Sequence, residues 1–399
     1  MSKGQVLEPK AVASLIAQIV GLLPTVAGVV GAAEASSRAI DRIWLTHRSH
    51  DPGKLVVNWE TEQAGDSVVH YGLSEACEWV VRQHESVRLH HVEIPLPRKG
   101  VRYHYWVSTG NRRSALASFK GCPRARLRVA VVANWQRKPK LDAIEADDPH
   151  LLLTAGDNIP NLWQVSRPGA RDSLEAYRRL VAAYPGLFRA IPVMPVLGNH
   201  DHQMRPRGPR PPAEPVYDIE ASAFRRFFEL PDDEWKWFFD VPDFGVRFIA
   251  LDIHHISDFA TTWQSCHPFE KGSAQLEWYR DLMETTTSPF VVTLYNERNA
   301  AIRNRAGGMW HNLFSRGSIA ISGFGYYAER AEVNRFPYYN VSLSGRGDRY
   351  PDPHSTFIAS KDNYVLLTFT RQPPRIAVEL KSLSGSVLRR EEIRPRAGR

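Results

Sequence analysis

The sequence predicts a β-sandwich followed by a layered α/β domain, and two regional patterns carry that prediction. Between Arg42 and about Phe119, short segments that alternate apolar and polar residues are separated by turn residues, as in antiparallel sandwiches. Beyond residue 123, apolar runs alternate with segments of helical periodicity, which indicates strands and helices stacked in layers. At 399 residues, of which 43% are hydrophobic, the chain can bury a sizeable core.

The first 35 residues have the order of a secretory signal. Lys3 and Lys10 precede an uncharged apolar run over residues 11–32, and Ala33-Glu34-Ala35 then offers a small-x-small cleavage site. This order predicts a secreted or cell-envelope protein, periplasmic or extracellular. The apolar run approaches the length of a membrane span, so an uncleaved N-terminal anchor is the alternative.

These patterns divide the rest of the chain into a sandwich over residues 41–122, an α/β domain over 126–388 and a basic tail over 389–399. Within the α/β domain we expect strands over 127–132, 245–252, 290–294 and 318–321, a strand beginning at Leu151, helices over 140–146, 173–184 and 275–284, and closing β-structure over 364–388.

Charge and cysteine content bear on the partners of the chain. The formal net charge is +8, from 51 basic and 43 acidic residues, which favours anionic ligands. The sequence contains no zinc-finger, basic-zipper or aromatic RNA-binding signature, so nucleic acid is not implied. Cys77, Cys122 and Cys266 are widely spaced, form no metal-binding motif and allow at most one intrachain disulfide.

Two loops of the α/β domain carry similar polar residues directly after apolar runs. Residues 151–158 end in Gly156-Asp157-Asn158, and residues 191–202 end in Gly198-Asn199-His200-Asp201-His202. In open α/β sheets, ligands bind at the carboxyl ends of the strands. We therefore expect both loops to present their side chains at one edge of a sheet.

The spacing of these loops resembles that of the calcineurin-like metallophosphoesterases, and in particular the purple acid phosphatases. The matching motifs are Val57–Thr61, Val69–Gly72, Gly156–Asn158, Gly198–Asp201, Val246–Asp252 and the Tyr-x-Glu-Arg sequence ending at Arg330. The resemblance implies a fibronectin III-like N-terminal sandwich before an α/β metallophosphoesterase domain. In that family a dinuclear Fe, Zn or Mn centre polarises a phosphoryl group and activates a bound water.

Three positions retain the residues that the resemblance implies for the metal site. Asp157 stands where the family has its bridging aspartate, and Asn199 stands where it has an amide ligand. His200 stands where the family has the histidine that assists leaving-group protonation, which makes it the candidate catalytic residue. The nearby Asp201 and His202 are further candidates.

Five of the seven ligand positions that the resemblance implies are replaced. The first motif, Gly-Asp-x-Gly in the family, is Ala133-Asn134-Trp135-Gln136 here, so an amide takes the place of a carboxylate. The loop after residue 294 offers Tyr295-Asn296-Glu297 instead of a histidine. The replaced ligand positions are Asn134, Pro160, Tyr295, Phe324 and Tyr326.

Two functions are compatible with a site in which some family residues are retained and others are replaced, and the first is favoured. In the first, the protein keeps the phosphoesterase fold, has weak or lost phosphoester hydrolysis, and binds an anionic or phosphorylated small molecule or another partner. In the second, it is an active phosphoric ester hydrolase with a rebuilt site, in which oxygens of Asn134, Asp157, Asn199 and Glu297 hold at most one weakly bound divalent cation. The third hypothesis is a secreted protein whose role is only binding or structural.

Overall fold

The computed structural model describes residues 39–162, 173–204 and 213–396. The predicted signal segment over residues 1–35 lies outside the described residues. Among the described residues, no helix combines the length and the apolar composition needed to cross a membrane. Cys77, Cys122 and Cys266 are all free thiols.

The N-terminal strands form one antiparallel hydrogen-bonded network. The strands are β1 (Ile43–Thr46), β2 (Lys54–Gly72), β3 (Trp79–Pro95), β4 (Arg102–Thr109), β5 (Arg112–Arg113) and β6 (Ala117–Lys120). Strand β2 pairs with β1, β3 and β4, and its pairing with β3 shifts register near Gly65. The inward side chains, among them Trp59, Tyr105 and Phe119, make a core of their own. The predicted β-rich N-terminal module is present, and its fibronectin III-like identity stays a prediction.

The α/β domain contains two sheets and the helices that cover them. Its strands are β7 (Arg126–Val132), β8 (Leu151–Thr154), β9 (Val193–Met194), β10 (Trp237–Val241), β11 (Val246–Ala250), β12 (Phe290–Tyr295), β13 (Ile319–Ser322), β14 (Ala328–Val333), β15 (Phe336–Asn340), β16 (Ser355–Ala359), β17 (Asn363–Arg371), β18 (Pro374–Ser382) and β19 (Val387–Ile393). One sheet has the order β19-β18-β17-β7-β8-β9 and the other β10-β11-β12-β13-β15-β14-β16. Because β19 pairs with β18, the sheet continues past Leu388 into the predicted basic tail.

Helices are present in the three segments where the sequence predicts them, and their ends agree within a few residues. The helices are α1 (Asp142–Ala146), α2 (Glu175–Ala183), α3 (Pro185–Ala190), α4 (Ser222–Phe227), α5 (Ala274–Thr285), α6 (Asn299–Arg303) and α7 (Met309–Phe314). Helix α5 is capped at its N-terminus by Ser273, whose side chain accepts a hydrogen bond from the backbone N–H of Leu276. It buries Leu276, Tyr279 and Met283, which the spacing of three and four residues puts on one face.

The two sheets of the α/β domain pack face to face, which produces the predicted layers. Phe369 of β17 contacts the rings of Phe248 and Phe290 from the other sheet at centroid distances of 5.8 and 6.0 Å. Helices α5 and α7 cover the opposite face of the β10–β16 sheet. Strands β7, β8 and β9 run parallel, as do β11, β12, β13 and β15, so the loops after them emerge at the carboxyl ends of both sheets.

The N-terminal network is joined to the α/β domain by buried contacts. Trp44 of β1 is fully buried and stacks on Phe227 of α4 with a centroid distance of 4.2 Å and an interplanar angle of 2°. Glu60 of β2 receives hydrogen bonds on both carboxylate oxygens from Arg178 of α2. The side chain of Trp44 therefore belongs to the core of the second domain.

Candidate functional site

The predicted polar edge exists, and it is built from loops that approach each other very closely. A Cβ at Gly198 would lie 2.2 Å from Oδ1 of Asp157, and one at Gly323 would lie 2.2 Å from the carbonyl oxygen of Ala155. Glycine is therefore required at both positions by the proximity of a neighbouring loop. The loops after β7, β8, β9, β12 and β13 meet here, as the parallel strands predict.

Asp157 lies at the centre of this edge and is almost fully buried. Its backbone is left-handed, with φ of 54°, which an aspartate tolerates better than most residues. Its Oδ1 accepts a hydrogen bond from the backbone N–H of His200 at 3.3 Å. Its Oδ2 accepts one from Nε2 of Gln136 at 3.2 Å. Both oxygens of the predicted metal ligand thus receive protein donors.

Gln136 links Asp157 to Tyr326. The Tyr326 hydroxyl donates to Oε1 of Gln136 at 2.8 Å, while the amide nitrogen of Gln136 donates to Asp157. Burial and the nearby Asp157 charge raise the pKa of Tyr326, so the phenol keeps its proton. The chain Tyr326–Gln136–Asp157 spans the loops after β13, β7 and β8. Sequence reasoning recorded Gln136 only as part of an altered motif and missed this role.

Asn134 and Asn296 tie the same loops together through their amide nitrogens. Nδ2 of Asn134 donates to the carbonyl oxygens of Gly323 at 2.6 Å and Gly325 at 2.8 Å. Nδ2 of Asn296 donates to the carbonyl oxygens of Ala155 at 2.8 Å and Gly323 at 3.1 Å. Amide nitrogens that carry hydrogens cannot act as cation ligands. The two side chains hold the backbone of the loop after β13 by hydrogen bonds.

The remaining predicted residues of the Gly198–His202 loop lie in different environments. Asn199 is buried, and within the described residues its side chain has no hydrogen-bond partner. His200 is half-buried, and its Nδ1 donates to the carbonyl oxygen of Pro160 while its Nε2 lies 4.0 Å from Oδ2 of Asp157. The structure thus brings His200 next to Asp157, as predicted.

Asp201 faces inward and joins two loops. Its Oδ2 accepts hydrogen bonds from the backbone N–H of Gly198 at 3.0 Å and from both nitrogens of Asn158, at 3.0 and 3.2 Å. Burial, followed by the charge of Asp157, raises the pKa of Asp201 to about 7. Asp201 is completely buried, so it supports the loop from below and does not face the edge.

Three of the replaced positions have no place among possible metal ligands. Tyr295 is fully buried in the core beneath the edge, where its hydroxyl donates to Asn299 and its ring stacks on Phe314. Phe324 contacts the ring of His255 at 6.0 Å, and it has no atom that can ligate. Pro160 offers only its carbonyl oxygen, which His200 occupies.

Glu297 is buried and engaged with the backbone. Its Oε2 accepts a hydrogen bond from the N–H of Ile256 at 2.9 Å, and its Oε1 accepts one from the N–H of Arg298 at 2.8 Å. Burial raises its pKa. The carboxylate therefore fixes two loops, and each of its oxygens already has a donor.

A second group of polar residues lies behind the edge, and sequence reasoning did not assemble it. His202, Asp252 and His254 are completely buried and bring three ligand-type atoms together. Nε2 of His254 is 3.1 Å from Nε2 of His202 and 3.0 Å from Oδ1 of Asp252. Burial lowers the pKa of His202 to about 4, so this imidazole is neutral at physiological pH.

His254 follows strand β11 in a loop, yet its side chain is completely buried. The chain after β11 turns inward, and residue 265 returns so that the Ser265 hydroxyl meets Nδ1 of His254 at 3.1 Å. The sequence signal that could have found this group is Asp252, a carboxylate at the end of a buried strand, followed two positions later by His254. That signal has the same form as the Asp157 loop, and Asp252 was treated only as a strand end.

The protein family that the sequence matches is consistent with this arrangement of strands and loops. The family model for calcineurin-like phosphoesterases matches residues 130–345, which is more than half of the chain. The chain belongs to the calcineurin-like phosphoesterases. The match runs from the last three residues of β7 through β15 and includes the polar edge.

Two solved structures extend the similarity of this chain to its N-terminal module. A purple acid phosphatase, PPD1, from seeds of yellow lupin (Lupinus luteus) has a TM-score of 0.66 at 14% identity, over 90% of this chain and 74% of that chain. PhoD has a TM-score of 0.63 at 13% identity, over 91% of this chain and 92% of that chain. A search of curated proteins finds no match. At these identities the structural matches establish a shared fold.

The residues at the edge of this chain do not fit the dinuclear centre that the family resemblance implies. For such a centre, the family resemblance implies a bridging carboxylate and imidazoles from the loops after β12 and β13. In their place are Asn296, which binds backbone carbonyls, and Tyr326, which binds Gln136. Asp157 receives hydrogen bonds from protein donors on both oxygens. The donor set at this edge is suited to hydrogen bonding.

Proposed function

We propose that this chain is a purple acid phosphatase-like protein with a degenerate dinuclear site, in which phosphoester hydrolysis is weak or lost. The edge around Asp157 would instead receive an anionic or phosphorylated small molecule. The observation that carries the proposal is the hydrogen bond from Nε2 of Gln136 to Oδ2 of Asp157 at 3.2 Å. It puts an N–H donor at the oxygen with which a bridging carboxylate would hold its cations.

The size of the expected loss supports this proposal. Changes that only surround a metal site typically cost about 10- to 100-fold in metal affinity or activity. Here the replacements affect ligand positions themselves, including Asn134 and Phe324. Their combined effect should remove tight binding of two cations at this edge.

His200 and the overall charge support the anion-binding part of the proposal. His200 is half-buried, and its Nε2 faces the same edge as Asp157. The formal net charge of +8 would attract an anion over the whole surface. If the predicted signal operates, the protein would meet its ligand outside the cytoplasm.

The decisive experiment compares wild-type protein with Asp157→Asn, which keeps the size and the left-handed backbone of residue 157. Hydrolysis of 4-nitrophenyl phosphate and of bis(4-nitrophenyl) phosphate would be followed with added Mn²⁺, Zn²⁺, Fe²⁺ or Mg²⁺. We expect both proteins to give the same background rate. Metal-dependent turnover that disappears in Asp157→Asn would overturn the proposal in favour of a single-cation hydrolase.

The ligand part is tested by calorimetric titration with inorganic phosphate. We expect binding to wild-type protein that weakens by about tenfold in His200→Ala, which removes one favourable hydrogen bond. Ser384→Ala, on an exposed turn, is the matched control and should bind like wild type. Absence of phosphate binding in wild type would contradict the ligand part and favour a structural role.

A further inference from the structure

We infer that His202, Asp252 and His254 form a mononuclear metal site of the zinc type, separate from the edge at Asp157. The three residues come from the loops after β9 and β11, and their side chains have no exposed surface. The inference does not depend on the proposed function, because none of the three ligands is a replaced or retained position of the dinuclear centre.

The distances among the three ligand atoms suit one small cation. They are 3.1 Å between the two Nε2 atoms, 3.0 Å from His254 Nε2 to Asp252 Oδ1, and 4.0 Å from His202 Nε2 to Asp252 Oδ1. Bonds of about 2.0–2.2 Å at tetrahedral angles separate neighbouring zinc ligands by about 3.3–3.5 Å. The observed separations bracket that value.

The outer atoms of all three residues are fixed by other groups, which is typical of metal ligands. Nδ1 of His202 lies 2.8 Å from the carbonyl oxygen of Asp218. Nδ1 of His254 lies 3.1 Å from the hydroxyl of Ser265. Oδ2 of Asp252 accepts hydrogen bonds from the backbone N–H of His267 at 2.8 Å and from its Nδ1 at 2.7 Å. His267 is itself held by stacking on Trp235 at 3.7 Å.

These outer contacts leave two acceptor atoms, Nε2 of His202 and Oδ1 of Asp252, directed at Nε2 of His254. A carbonyl oxygen only accepts, so His202 Nδ1 carries the proton and its Nε2 has a bare lone pair. Oδ1 of Asp252 is buried and makes no hydrogen bond within the described residues, although Nε2 of His254 lies 3.0 Å away. Nε2 of His254 can supply at most one proton to these two acceptors. A divalent cation would satisfy all three atoms at once.

The donor set favours zinc over harder cations. Two imidazoles with one carboxylate are usual ligands of Zn²⁺, whereas Mg²⁺ and Ca²⁺ prefer oxygen ligands alone. Because the three side chains are buried, the ion would connect the Gly198–His202 loop to the segment after β11. The site would thus support the floor of the phosphoesterase edge.

The test is the zinc content of the full chain after incubation with Zn²⁺ and removal of free ion, measured by elemental analysis. We expect about one zinc per chain in wild type, and a loss of at least tenfold in His202→Ala and Asp252→Asn. Asp157→Asn and His255→Asn are matched controls that should retain the ion. His255 is adjacent in sequence, has a left-handed backbone that Asn tolerates, and is absent from the cluster.

Two measurements on wild-type protein keep the inference testable even where a variant fails to fold. Substitution with Co²⁺ should give the visible absorption bands of a four-coordinate ion with nitrogen and oxygen ligands. Chelation should lower the unfolding temperature, and added Zn²⁺ should restore it. Folded wild type that retains no zinc, or zinc that is lost in Asp157→Asn and kept in Asp252→Asn, would overturn the inference.

Discussion

The edge at Asp157 and the cluster at Asp252 both place a buried carboxylate after a parallel strand, yet their partners differ. Asp157 is surrounded by amide and backbone donors, so both of its oxygens are satisfied by hydrogen bonds. Asp252 has two donors on one oxygen and none on the other, which faces two imidazoles. Residue type at a strand end therefore does not distinguish the two regions, whereas the number of hydrogen-bond donors on each carboxylate oxygen does.

The largest expected difference between the two regions is in stability. Asp252→Asn should lower the free energy of unfolding by about 3 kcal/mol or more, because it removes a buried charge from several hydrogen bonds. Asp157→Asn should cost about 1 kcal/mol, because the amide oxygen still accepts one of the two bonds. Urea unfolding of both variants with metal removed measures this contrast. Equal losses of unfolding free energy in the two variants would contradict the expected difference.

The neighbouring residues Asp201 and His202 should respond to pH in opposite directions. The pKa of Asp201 is raised from 3.8 to about 7, so the folded state holds a proton that the unfolded state releases, and stability falls as pH rises through that window. The pKa of His202 is lowered from 6.5 to about 4, so the unfolded state takes up the extra proton, and stability falls as pH falls through that window.

Each unit of pKa shift corresponds to about 1.4 kcal/mol, so both effects can reach a few kcal/mol. The free energy of unfolding would be measured between about pH 4 and pH 8 for wild type, Asp201→Asn and His202→Gln without added metal. Relative to wild type, Asp201→Asn should gain most at the upper end, and His202→Gln should gain most at the lower end. Parallel pH profiles for the two variants would contradict the assignment.

The smallest expected effect concerns the chain from Tyr326 through Gln136 to Asp157. Gln136→Ala and Tyr326→Phe should each cost about 1 kcal/mol, and the double variant should cost less than their sum. The reason is that both single variants remove the same hydrogen bond at 2.8 Å. A coupling energy of zero in this double-mutant cycle would mean that the two side chains do not act together.

Much of the fold could be predicted from the sequence because it depends on local patterns. Apolar runs such as 127–132 and 290–294 became buried strands, and glycines before Asp157 and Asn199 marked the loops at their ends. Because β7, β8 and β9 pair in parallel, the loops at their carboxyl ends lie at the same edge of the sheet. The proximity of Asp157 and His200 could therefore be anticipated.

The directions of individual side chains at the edge could not be predicted in the same way. Whether an amide such as Asn134 presents its oxygen or its nitrogen depends on the carbonyl groups of Gly323 and Gly325, which lie far along the chain. His202 and His254 are separated by 52 positions, and no spacing rule relates them. Their meeting depends on the loop that returns through Ser265 and His267.

Trp44 has a consequence for how the two structural parts can be separated. Its indole lies in the core of the α/β domain, stacked on Phe227, although its strand belongs to the N-terminal network. A fragment that begins after residue 122 would expose Phe227 and leave Arg178 without Glu60. We therefore expect residues 39–396 to melt as one cooperative calorimetric unit. Because the N-terminal strands contribute to the core of the α/β domain, their role is better tested by point variants on their outer face than by deletion.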